Sequence, residues 1–130
     1  MSAAFYTSYE TSLALREAGA PQGRDVPLSL WTTYGGIAKP MLTRAAYVPE
    51  MGVGEARAFR LDEILAALAA LGDVALDNHR EADPSMRWSV RHAIDCNSEV
   101  GYSSGPGPSP VEAAAACYLA VLRAAREARP

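Results

Sequence analysis

Residues 86–94, MRWSVRHAI, alternate with period two. Met86, Trp88, Val90, His92 and Ile94 share one face of an extended strand, and Arg87, Ser89, Arg91 and Ala93 share the other. A strand with one apolar and one polar face suits an antiparallel sheet covered on a single side. Asp95-Cys96-Asn97-Ser98 then turns the chain, and residues 99–103 are expected to return as its hairpin partner. Gly105-Pro106-Gly107-Pro108 follows as a stiff connector.

The cover for this sheet is expected on either side of the strand in sequence. Downstream, Ser109 and Glu112 form a capping box with Pro110 at the first helical position, where its missing N–H does no harm. Val111, Ala114, Ala115, Tyr118, Val121, Leu122 and Ala125 then make one stripe, and Ala113–Ala116 allow a close approach to a sheet. The tail from Arg123 is expected to fray. Upstream, Leu61, Ile64, Leu65, Leu68 and Leu71 form a second stripe, with Asp62 and Glu63 in the first turn and Gly72 at its end. Residues 74–78 read as a short strand.

Farther upstream, Thr7 and Glu10 form a capping box for a helix over 8–18, which Gly19 and Pro21 stop. Strands are expected over 26–34 and 42–48, with a loop over 49–57. The order is α-ββ-α-βββ-α in a single α+β domain over 1–130. Its antiparallel sheet has four to five strands, with three helices on one face. The same order also reads as a helix followed by two strand-strand-helix units.

Composition narrows the function classes. The chain has 130 residues, 49% hydrophobic and 21% charged, a globular balance that needs no metal or disulfide to fold. A net charge of −3 argues against nucleic acid or an anionic membrane as the main partner. No run approaches the ~20 apolar residues of a membrane span. The first ten residues carry neither a basic residue nor an apolar core, so no secretory signal is expected. Cys96 and Cys117 sit in unlike contexts, a polar turn and an apolar helix, and are expected as reduced thiols in a cytoplasmic protein.

The chemistry-bearing residues form no familiar constellation. His92, Asp95 and Cys96 are close in sequence, but His92 points to the Trp88–Val90 face while Cys96 lies beyond the strand. The two histidines, His79 and His92, and the two cysteines have no ligand spacing, so neither metal nor cofactor is expected. The Gly101–Ser109 segment precedes a helix N-terminus, where backbone amides can hold an anion, yet Pro106, Pro108 and Pro110 each delete a donor. Arg87 and Arg91 leave the same strand face about 13–14 Å apart. With Arg44 or Arg57 they offer a basic groove; without them, they are the solvent face of a half-buried sheet. A small anionic ligand would be held by Arg87 and Arg91, by Ser103 and Ser104 of the following segment, and by Trp88 or Tyr102. Trp31 breaks the alternation of its strand, which makes it a partly buried residue or the anchor for a partner or second subunit.

Three phrases, in order, resemble a group of small phage and prophage proteins without assigned activity. YETSLALREAGAPQ (9–22) is similar to their first helix, which ends in a phrase like L-x-E-A-G-F-P-Q; Ala20 stands where the aromatic is usual. LDEILAALAAL (61–71) resembles their second helix, with Ala58-Phe59-Arg60 in place of the usual A-P-T. SPVEAAAACYLAVL (109–122) resembles their last. The resemblance implies a phage or mobile-element origin and a cytoplasmic α+β domain, and it carries over no site residues. The expected function is a non-enzymatic accessory protein that binds a host protein, in counter-defence for example, or a second copy of itself. The alternative is a nucleotide-binding or sequestering protein, and a hydrolase using Cys96 or His79 is the weakest reading.

Overall fold

The structure is a computed structural model, and it describes residues 5–22, 29–32, 41–44, 55–79, 83–93 and 103–127. Among these residues the order is α1 (Tyr9–Glu17), β1 (Ser29–Thr32), β2 (Met41–Arg44), β3 (Ala56–Ala58), α2 (Leu61–Ala69), β4 (Asp73–Asn78), β5 (Trp88–Ala93), β6 (Ser103–Gly107) and α3 (Pro110–Glu127). The class is mixed α and β, with three helices and antiparallel strands, as the patterning implies. The strands form two three-stranded sheets, β2-β1-β3 and β4-β5-β6, where one sheet of four to five strands was expected. The chain divides into two compact units, Met1–Phe59 and Arg60–Pro130.

In the first unit, β1 is the central strand, with Trp31 opposite Leu42 on one side and Ala56 on the other. Strand β3 lies within the expected loop over 49–57. Its signal is only the alternation of buried Ala56 and Ala58 around Arg57, too short and too small-sided to register as a period. Helix α1 is capped by Ser8, which accepts from the Thr11 amide at 3.2 Å, and not by Thr7. The Thr7 hydroxyl is committed elsewhere: it accepts from the Phe59 amide at 3.1 Å and lies 2.7 Å from Ser12 Oγ. The helix ends as expected at Gly19, whose φ of +100° suits the residue without a Cβ. Gly19 N–H donates to Arg16 and Ala20 N–H to Leu15, a Schellman close that satisfies two orphan carbonyls.

In the second unit, the pairing of β5 with both neighbours sorts its faces. Val90 and His92 are buried on one face, and Arg91 is exposed on the other. The expected strand over 86–94 is shorter at its start, because Asp83 accepts from the Met86 amide in a 3-10 turn, Pro84–Met86. Met86 is therefore off the strand and half exposed, and Ile94 lies outside the described residues. Leu71 likewise falls beyond α2 and is exposed, while Ile64 and Leu68 are fully buried. Helix α2 has no threonine cap. Instead the Glu63 carboxylate accepts from the Arg60 amide at 2.8 Å.

The expected connector around Gly105 is strand β6, paired with β5 from Ser103 to Gly107. The His79 amide donates to the Arg87 carbonyl, which sets the alternation: Ser89 and Arg91 bond toward β4, and Trp88, Val90 and His92 toward β6. Pro106, opposite Ser89, is then at a position whose N points out of the sheet, so the missing N–H costs no ladder bond. Gly107 lies on the covered face directly beneath α3. A Cβ there would sit 2.6 Å from the Ala113 backbone nitrogen. Ser109 caps α3, with its hydroxyl accepting from Glu112 N–H at 3.3 Å, and the helix continues to Glu127 past the expected fraying point. Buried Ala113, Ala114 and Ala115 are the small side chains that permit this close contact.

Candidate functional site

The sheet of the second unit has a covered and an open face, and the candidate residues divide between them. The helices lie on the face of Val90 and His92. There His92 Nε2 donates to the Leu68 carbonyl at 3.0 Å, near the end of α2. Leu68 offers only an acceptor, so Nε2 carries the proton, and Nδ1 is buried with no hydrogen-bond partner among the described residues. His92 is thus a core histidine tied to a helix end. Trp88, half-buried, belongs to the same face by alternation.

The open face carries Asp73, Ala75 and Asp77 of β4, Ser89, Arg91 and Ala93 of β5, and Ser104 and Pro106 positions of β6. Ser104 stands opposite Arg91, while Ser103 stands opposite His92 on the covered face. Arg91 Nε donates to Asp77 Oδ2 at 2.8 Å, so its charge is balanced within the sheet. His79 Nε2 lies 2.8 Å from Ser89 Oγ, a second polar tie across the same two strands. Arg87 is exposed ahead of β5. The sheet therefore places Arg91 and Ser104 together, puts Trp88 and Ser103 on the opposite face, and gives Arg91 an acidic neighbour. Tyr102 lies outside the described residues, as do Cys96, Asp95 and Gly101.

Comparison with protein-family models, with curated proteins and with solved structures finds no match to this chain.

Trp31 is accounted for inside the first unit. Its indole N–H donates to the Thr7 carbonyl at 2.9 Å, and its ring meets Tyr9 edge-on with centroids 6.3 Å apart. The tryptophan is half-buried, covered by the start of α1. Arg57, one of the cations considered for a basic groove, lies over the Phe59 ring at 4.3 Å and donates to the Pro21 carbonyl at 3.2 Å. The Arg44 side chain lies outside the described residues.

Cys117 is buried in α3, and burial pushes its thiol up to about 11, which keeps it protonated and unreactive at neutral pH. Among the described residues no group of His, Cys, Asp and Glu could hold a metal ion, and no helix is long and apolar enough to cross a membrane.

The feature that sequence reasoning missed is the outer edge of β4. Among the described residues the strand ends its sheet, and Leu76, at its middle, is 38% exposed. Reading residues 74–78 as a strand contained the signal, but its position at an edge is set by pairing with β5.

Proposed function

We propose that this chain is a non-enzymatic accessory protein of phage or mobile-element origin that acts by binding a host protein through the open face of its second sheet. The observation that carries this reading is the character of that face. It carries small side chains, Ala75, Ser89 and Ala93, around the Arg91–Asp77 ion pair, with exposed Asp73 at one end of β4. The cation of this face, Arg91, is already paired with Asp77, which leaves little there to attract a small anion, and small side chains beside it suit contact with another protein. The phage assignment rests on the three helix phrases, and cytoplasmic location and counter-defence follow from that resemblance alone.

The test is capture from host lysate by tagged wild-type protein and by an Ala75→Arg/Pro106→Arg variant. Both substitutions are at exposed positions of the open face. The expected result is one host protein held stoichiometrically by wild type, lost with the double variant and kept by a control, Arg123→Glu, on the exposed part of α3. Equal retention by all three proteins, or a turnover activity lost in the folded double variant, would overturn the reading.

A further inference from the structure

The outer edge of β4 is built to pair with itself. The His79 amide donates to Arg87, so the odd-numbered residues of β4 bond inward to β5. The N–H and C=O groups of Val74, Leu76 and Asn78 then point outward along about 14 Å of edge. Among the described residues no strand pairs with that edge. The side chains along it confirm the opening: Asp73, Ala75, Leu76, Asn78 and His79 are all exposed.

We propose that a second copy of this chain covers this edge, with the two β4 strands antiparallel about a two-fold axis at Leu76. The register is determined by the outward groups. Residues that bond outward must meet residues that also bond outward, so the even-numbered positions face one another. Only the register centred on Leu76 keeps every partner inside β4: Leu76 opposite Leu76, Val74 opposite Asn78, and Asn78 opposite Val74. Each of these pairs exchanges two hydrogen bonds, which satisfies all the outward groups of both strands. A register centred on Val74 would place Asn78 opposite Ala70, at the end of helix α2 and outside β4, and one centred on Asn78 would carry Val74 beyond the strand.

The polar side chains suit the same register. Asp73 of each copy comes opposite His79 of the other, and Ala75 comes opposite Asp77, whose charge Arg91 already balances. The exposed Leu76 side chains meet across the axis on the helix-covered side. A two-fold axis perpendicular to the sheet keeps both sets of helices on one side and joins the two open faces into one six-stranded face. This inference does not depend on the host-protein reading, since either can fail alone.

The test is cross-linking joined to mass measurement. In a Cys96→Ser background, Leu76→Cys places two thiols directly opposite at the axis, where Cα atoms of a hydrogen-bonded pair are about 5.5 Å apart, within disulfide reach. Mild oxidation should convert this variant to a covalent dimer, while Ala75→Cys, on the other face and off the axis, should cross-link at least tenfold more slowly. Light scattering at about 100 μM should give a dimer for wild type and a monomer for Leu76→Lys, which sets two like charges face to face. Asp73→Lys should weaken the dimer and Asp73→Lys/His79→Asp should restore it. A wild-type monomer throughout, equal cross-linking at 75 and 76, or a dimer untouched by Leu76→Lys in a protein with native circular dichroism would each overturn the proposal.

Discussion

Replacing Gly107 by alanine tests the packing that defines the second unit. The added Cβ would lie 2.6 Å from Ala113 N, 3.0 Å from Ala113 Cα and 3.0 Å from Glu112 C. All three are backbone atoms, so no flexible side chain can yield. Ordinary contact begins near 3.4 Å, and the first turns of α3 must therefore retreat by about 0.8 Å from the sheet. That retreat loosens Val111, Ala114 and Ala115, which are buried against it. Overpacking of this kind costs about 1–3 kcal/mol. Alanine returns about 0.4–1 kcal/mol by restricting the unfolded chain. Taking the middle of each range, the net loss is about 1.3 kcal/mol, which at a urea slope of about 2 kcal/mol/M lowers the midpoint by about 0.6 M. Trp88 fluorescence in a Trp31→Phe background follows the second unit alone, since these are the two tryptophans of the chain. An unchanged or raised midpoint for Gly107→Ala would refute the close seating of α3 on β6.

Three further outcomes follow from named contacts. Thr7→Val removes the acceptor of the buried Phe59 amide and the partner of Ser12, and should cost about 1–3 kcal/mol in the first unit by urea denaturation. Cys117 should resist iodoacetamide at pH 8 in the folded protein and react on unfolding. Burial holds its folded pKa up at about 11, above the thiol's ordinary value of 9.0. The thiol's contribution to stability is therefore complete below pH 9 and lost as pH rises toward 11, which thermal melts of wild type and Cys117→Ala across that window will detect. Arg91→Ala should cost no more than about 1 kcal/mol, and less in high salt, because the Arg91–Asp77 pair is partly exposed.

What the sequence made legible was what local chemistry decides. The Ser109–Pro110 start of α3 and the Gly19 stop of α1 depend on groups within four residues, and both are found as read. The alternation in residues 86–94 placed His92 inward and Arg91 outward for the same reason. Thr7 misled because a distant amide, Phe59, takes its hydroxyl and leaves Ser8 to cap. Strand β6 was hidden by composition: glycine and proline mark turns, and only pairing with β5 shows that Pro106 turns its missing donor outward. Strand β3 is three residues of small or aliphatic-stemmed side chains, with no period to detect.

The candidate site was legible in the same proportion. Its face could be read from β5 alone, but Asp77, which balances Arg91, comes from a neighbouring strand 14 residues away. Trp31 broke its strand's pattern and is partly buried, yet its partner is the Thr7 carbonyl at the start of α1. Nothing near Trp31 in sequence points to that residue.

Native mass spectrometry of the protein purified without added ligand tests the account most directly. Association through β4 and an open face reserved for protein predict twice the 13.8 kDa chain mass, with no increment. A mass above an integer multiple of 13.8 kDa would mean a retained small molecule and would contradict it in favour of a ligand-sequestering protein.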